Sequence, residues 1–137
     1  MMQNRIRNAG HGSNNEDVVK SGYLKKLKTM KKKFFVLRRD SGPNHPARLE
    51  YYDNEKKFIS GTLPKKPIIL STCLSINRKE DPKHSHVIAL YTNHDSLSVA
   101  AESESEMNEW LDFLKHHVRQ TVSALKASLE KCMSMYG

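Results

Sequence analysis

Between Lys25 and Lys33 the sequence reads KKLKTMKKK, which places Lys25, Lys26, Lys28, Lys31, Lys32 and Lys33 within nine residues. Each is an ammonium at neutral pH, a donor with no acceptor, so the chemistry on offer is recognition of anions and not bond making. The wider block Lys20–Arg39 carries nine Lys and Arg and no acid, yet it is rich in Tyr23, Leu24, Leu27, Phe34, Phe35, Val36 and Leu37. A flexible basic tail would lack these apolar residues. A buried strand pair would not tolerate the lysines unless they crowd a connecting loop. Both patterns hold if two strands meet at a short turn near Lys28–Met30 and present a cationic mouth. Alternation then sets Lys33 on the strand face of Phe35 and Leu37, where a charge requires an anion or water.

The remaining candidates for chemistry are weaker. His84 and His86 in KHSHV, with Glu80 and Asp81 nearby, are explained as well by a hairpin loop as by a metal site. Cys73 and Cys132 are far apart and read as packing thiols in a reducing compartment. Tyr51 and Tyr52 read as packed strand rings, and His116-His117 as complementing the negative end of a helix dipole. The sequence carries no phosphate-binding glycine loop, nucleophile elbow or zinc-protease helix. We therefore expect no catalysis, no metal and no cofactor.

The charge balance points the same way as the lysine cluster. The 137 residues carry a formal net charge of +8, with a sequence pI near 9.5. The charge is polarised, because Asn93–Leu114 holds six acids and no Lys or Arg. Such a dipolar domain would turn one face toward an anionic surface. No apolar leader or membrane-length run is present, so a cytoplasmic location is expected.

The elements that must position these residues are short. Residues 1–17 lack periodicity and are expected to be disordered. Strands are expected at Ser21–Lys28, Lys32–Arg39, Arg48–Asp53, Lys66–Ser71, Cys73–Arg78, Val87–Thr92 and Leu97–Ala101, with Leu49 and Tyr51 on one face of the third. Seven short strands with turn signals between them read as an antiparallel meander closed into a barrel or sandwich. The period then changes to that of a helix. Ser103 with Glu106 reads as a capping box, and Met107, Trp110, Leu111, Leu114 and Val118 recur at helical spacing. Trp110 is the expected plug of the barrel, with Phe35 and Leu37 in its core. Val122, Leu125 and Leu129 continue the stripe, so a helix over Glu104–Lys131 would overhang the barrel.

Seven strands, a basic first hairpin with Gly22-Tyr23-Leu24 and Lys33-Phe34-Phe35-Val36-Leu37, and Glu109-Trp110 in a closing helix resemble a pleckstrin-homology domain. Within that family, Arg48–Phe58 (RLEYYDNEKKF), Lys31–Leu37, Ile76-Asn77-Arg78 and Val87–Thr92 (VIALYT) look like the first domain of insulin receptor substrate adaptors. The resemblance implies a pleckstrin-homology domain over residues 18–118, with 119–137 a helix extension or linker. It implies phosphoinositide binding at positions corresponding to Lys26, Lys31 and Lys33. From their place in the sequence, Lys25, Lys28 and Lys32 are expected around them, and Lys65 and Lys66 are expected to extend the patch. Only four residues separate Lys26 from Lys31, and lysines stand where arginines are usual, so selectivity among phosphates should be low.

By resemblance, the partners are anionic membrane lipids and an insulin or insulin-like receptor complex, and the chain is a monomer drawn to the inner face of the plasma membrane. In that family a phosphotyrosine-binding domain follows, then Tyr-x-x-Met sites that recruit phosphatidylinositol 3-kinase. The present sequence ends at Gly137 and has no Tyr followed three residues later by Met, so a targeting module, fragment or truncated product is expected. Two rival readings stand: a basic OB-like barrel binding single-stranded nucleic acid, and a module for acidic protein segments. Against the first, the six-acid segment would repel phosphate.

Overall fold

The computed structural model describes residues 15–136. The strands are β1 (Val18–Lys26), β2 (Lys31–Arg38), β3 (Arg48–Tyr52), β4 (Lys65–Ile69), β5 (Cys73–Lys79), β6 (Val87–Thr92) and β7 (Ser96–Ala100). A short helix α1 (Glu55–Ile59) lies between β3 and β4, and α2 (Glu104–Tyr136) closes the chain. All seven strands form one antiparallel sheet in the order β4-β3-β2-β1-β7-β6-β5. The C-terminal end of β1 pairs with β7 through Lys25↔Ala100 and Lys26↔Val99. That pairing brings the basic hairpin against the last strand.

Alternation explains which side chains go inside. Leu24, Phe35, Leu37, Leu49, Ile76, Ile88, Leu90, Leu97 and Val99 fill one core with Met107, Trp110 and Leu114 of α2. Trp110 is 1% exposed, and Phe35 and Leu37 are fully covered. Ser103 starts the helix, its Oγ accepting the Glu106 N–H at 3.1 Å. Lys20 then fastens helix to sheet: its Nζ pairs with Glu109 and lies 5.1 Å from the Trp110 ring centroid.

The strands lie close to their expected places, with ends displaced by a few residues. β1 stops at Lys26, because the Met30 N–H turns back to the Lys26 carbonyl at 2.8 Å and Met30 takes a positive φ of 61°. β4 stops at Ile69, where the fully buried Leu70 opens a 3-10 turn, Leu70–Thr72. Helix α1 was not expected from the sequence. Asn54 caps it, its side chain accepting the Lys57 N–H at 2.9 Å. The helix α2 runs to Tyr136, past the expected Lys131, as nothing in its sequence interrupts it. His116 and His117 are consequently mid-helix and not at its negative end. His117 is pulled below the usual histidine range, first by burial and then by His116. Val118 still packs on the core, whereas Leu129 and Met133 are exposed. The Val122 and Leu125 side chains lie outside the described residues, as does the expected disorder of residues 1–14.

The outer face of β1–β3 holds a second, smaller core that the sequence did not announce. Phe34, Val36 and Tyr52 pack there with Val18 and Phe58. Beside them lies a buried ion network. Arg38 Nε donates to Glu50 at 2.8 Å, and its Nη1 donates to Asp17 at 2.5 Å. Arg48 and the Tyr52 hydroxyl both donate to Glu50, each at 2.9 Å. Asp17, read with the disordered tail, is thus buried and held, because Arg38 requires a counter-ion. Burial opposes the charge on Arg38, but Glu50 and then Asp17 outweigh it and hold the guanidinium firmly protonated.

Candidate anion-binding site

The register of the first hairpin decides where the six lysines go. Lys26 stands opposite Lys31, Lys25 opposite Lys32, and Leu24 opposite Lys33. Directly opposed residues share a face, and neighbours along a strand alternate. Lys26, Lys31 and Lys33 therefore fall on the inner face with Leu24 and Phe35, while Lys25 and Lys32 fall on the outer one. The expected cluster is thus divided by the register, with Lys25 and Lys32 on the opposite face of the hairpin from Lys26, Lys31 and Lys33.

On the inner face Lys26 Nζ donates to the Tyr51 hydroxyl at 2.9 Å and lies 4.6 Å from that ring's centroid. Tyr51 is partner to Phe35 on one side and Lys65 on the other, which carries the same face across to β4. Asp53, two residues on, has the parity of Tyr51 and accepts from Lys33 at 2.8 Å, with Lys65 at 3.4 Å. Lys33 and then Lys65 hold its carboxyl below the usual carboxylate range. A cleft of about 320 Å³ opens beside Lys26 and Tyr51 toward Lys28, Lys66, His94 and Asp95. Lys66 pairs with Asp95 at 3.1 Å. The Asp95 carboxyl is lowered first by the Ser96 N–H and then by Lys66, with Lys28 contributing. Lys31 is exposed and forms no ion pair among the described residues.

The mouth thus gathers Lys26, Lys28, Lys31, Lys33, Lys65 and Lys66 around two aspartates. Opposed like charges such as Lys26 and Lys31 are destabilising in a sheet unless an anion compensates them. The arrangement can hold phosphate or carboxylate groups as point-charge contacts, and no reacting group stands among them. Asp53 and Asp95 were missed from the sequence. The parity of Asp53 with Tyr51, read against Lys33 on the neighbouring strand, was the signal available for it.

The outer face presents a different setting. Lys32 pairs with Glu102, which raises the lysine and lowers the acid. Lys25 and Lys32 border a separate cleft of about 290 Å³ with Lys83, His84 and His86. The His84 ring meets Asp81 at 3.0 Å, and Asp81 also accepts the Lys83 and His84 backbone N–H groups. Among the described residues no group of three His, Cys, Asp or Glu side chains is placed to hold a metal. Cys73 is half-buried, which pushes its thiol up to about 11.

Residues 18–119 match the PH domain family. This chain belongs to that family. It is 48% identical over 99 residues to insulin receptor substrate 1 of Homo sapiens, covering 72% of this chain and 8% of that protein. Against insulin receptor substrate 1 of Drosophila melanogaster it is 51% identical over 94 residues, covering 69% of this chain and 10% of the relative. The chain therefore spans about a tenth or less of the curated relatives it matches. The crystal structure of the C-terminal PH domain of pleckstrin in complex with D-myo-Ins(1,2,3,5,6)P5 superposes with a TM-score of 0.58. It is 25% identical, and the match covers 74% of this chain and 95% of that one. The seven-stranded sheet closed by a C-terminal helix is the PH fold. None of the described helices is long and apolar enough to cross a membrane.

Proposed function

We propose that this PH domain recruits its adaptor to the inner face of the plasma membrane by binding phosphoinositide headgroups at the β1–β2 mouth. The carrying observation is the uncompensated Lys26–Lys31 pair beside Lys33, three ammoniums on one inner face at the open end of the sheet. Lys28, Lys65 and Lys66 add longer-range attraction. The PH domain of pleckstrin, superposable on this fold, is seen with an inositol pentakisphosphate, which supports the ligand class. In a full-length adaptor the domain would serve an insulin or insulin-like receptor and lead to phosphatidylinositol 3-kinase, as kinship with the insulin receptor substrates supports.

Each lysine near an anionic leaflet contributes about 1 kcal/mol, so the mouth gives useful but reversible attachment. The test is co-sedimentation with phosphatidylcholine vesicles containing a phosphatidylinositol bisphosphate, set against single-stranded DNA at equal ionic strength. Wild-type protein should pellet with the vesicles, and Lys26→Ala/Lys31→Ala/Lys33→Ala should not. Preference for the DNA, or undiminished pelleting of the folded triple variant, would overturn the proposal.

A further inference from the structure

The mouth is partly occupied by the protein's own acids. Asp53 fills no core: its side chain is 42% exposed, yet a single oxygen, Oδ1, meets Lys33 of β2 at 2.8 Å and Lys65 of β4 at 3.4 Å. One anionic oxygen shared by two ammoniums from different strands is the contact a phosphate oxygen would make. The carboxylate therefore marks a phosphate-sized position. A few residues away, Lys26 has only the neutral Tyr51 hydroxyl, and Lys31 has no ion pair among the described residues. The mouth contains two positions for anionic groups, one open and one already taken.

Resting on the reading above, we propose that Asp53 is a built-in competitor for the second phosphate position and sets how far the site distinguishes bisphosphorylated from monophosphorylated headgroups. A single phosphate settles at Lys26 and Lys31 and leaves Asp53 in place. A second phosphate must displace the carboxylate to reach Lys33 and Lys65, exchanging one anion for another with little net gain. Discrimination is thereby held low in the wild type. Removing the charge at Asp53 releases both lysines to the ligand. The depressed Asp53 carboxyl agrees, since both lysines favour its ionised form.

The experiment compares wild type, Asp53→Asn and Glu102→Gln on phosphatidylcholine vesicles containing a phosphatidylinositol monophosphate, a bisphosphate or phosphatidylserine, at fixed salt. Glu102→Gln removes the same charge from the outer face, where it pairs with Lys32. Asp53→Asn should tighten bisphosphate binding about tenfold, as freeing one to two lysines implies, with a gain under about threefold for the monophosphate. Glu102→Gln should change neither by more than about twofold, its charge being screened and on the other face. Equal gains on both lipids, or an equal gain from Glu102→Gln, would mean net charge alone acts and would overturn the inference. Asp53→Ser, with urea midpoints for all variants, keeps the test valid if the amide disturbs the loop. If neither wild type nor Asp53→Asn bound phosphoinositide vesicles above phosphatidylserine ones, the functional reading itself would fall, and the inference with it.

Discussion

The two faces of the β1–β2–β3 ribbon both carry clustered charge, and they use it in opposite ways. On the outer face Arg38 and Arg48 are matched by Asp17 and Glu50, with Arg38, Asp17 and Glu50 all under a tenth exposed. On the inner mouth six lysines meet two aspartates, both exposed by two-fifths or more. Burial requires balance, since a lone charge out of water is costly. An open rim tolerates excess, and excess cation is what an anionic ligand can use. Balanced and buried charge therefore belongs to the fold here, and unbalanced, hydrated charge is what the proposed recognition would use.

That contrast can be broken most forcefully from the buried side. Glu50→Ala leaves Arg38 and Arg48 short of a shared carboxylate and should cost ~3–5 kcal/mol in urea melts. Trp110→Ala should cost a similar ~3–5 kcal/mol by emptying the centre of the helix–sheet core. Neither variant should lose vesicle binding under conditions where it remains folded. A loss below about 1 kcal/mol for Glu50→Ala, typical of a surface change, would mean that the network is not structural.

The opposite outcome is expected from the mouth. Lys26→Ala/Lys31→Ala/Lys33→Ala should lose about 3 kcal/mol of vesicle attraction, roughly a hundredfold in affinity. Its stability should move by less than ~1 kcal/mol, because the Lys33–Asp53 pair is exposed and the Lys26–Lys31 pair is repulsive. A large drop in the urea midpoint would erase the distinction between the two faces.

How much of this was legible in the sequence depended on whether a signal was local. Alternation in β2 located Phe35, Leu37 and Lys33 on one face, and helical spacing located Met107, Trp110 and Leu114 on the sheet. Both are properties of a single element. The outer network joins Asp17, Arg38, Arg48 and Glu50 across two strands and the turn before β1, so it became visible only with the register. The same holds for Lys33 and Lys65, which meet at Asp53 through β2–β3–β4 pairing. The six lysines between Lys25 and Lys33 looked like one cluster because they are adjacent in sequence, and strand parity divided them. Helix α1 went unread because five residues are too few for a periodic pattern, although Asn54 was a cap in plain sight.

The subtlest way to sharpen the comparison is through Tyr52, whose hydroxyl donates to Glu50 on the outer face. Burial first, and then the Glu50 charge, push this phenol from its ordinary 10.0 up to about 12. A group raised in the folded state favours folding while it stays protonated. Its contribution is complete below the ordinary value and disappears as pH rises through the raised one. Between pH 10 and 12 the wild type should therefore lose about 2 kcal/mol that Tyr52→Phe does not lose, on top of any change both share. The mouth supplies the contrasting control: Tyr51→Phe removes a hydroxyl bonded to Lys26 beside an open cleft. Urea melts across that range should show the wild-type slope retained in Tyr51→Phe and flattened in Tyr52→Phe. The same slope in Tyr52→Phe as in wild type would show that the phenol ionises without cost to the fold, and that the outer face is less sealed than its burial implies.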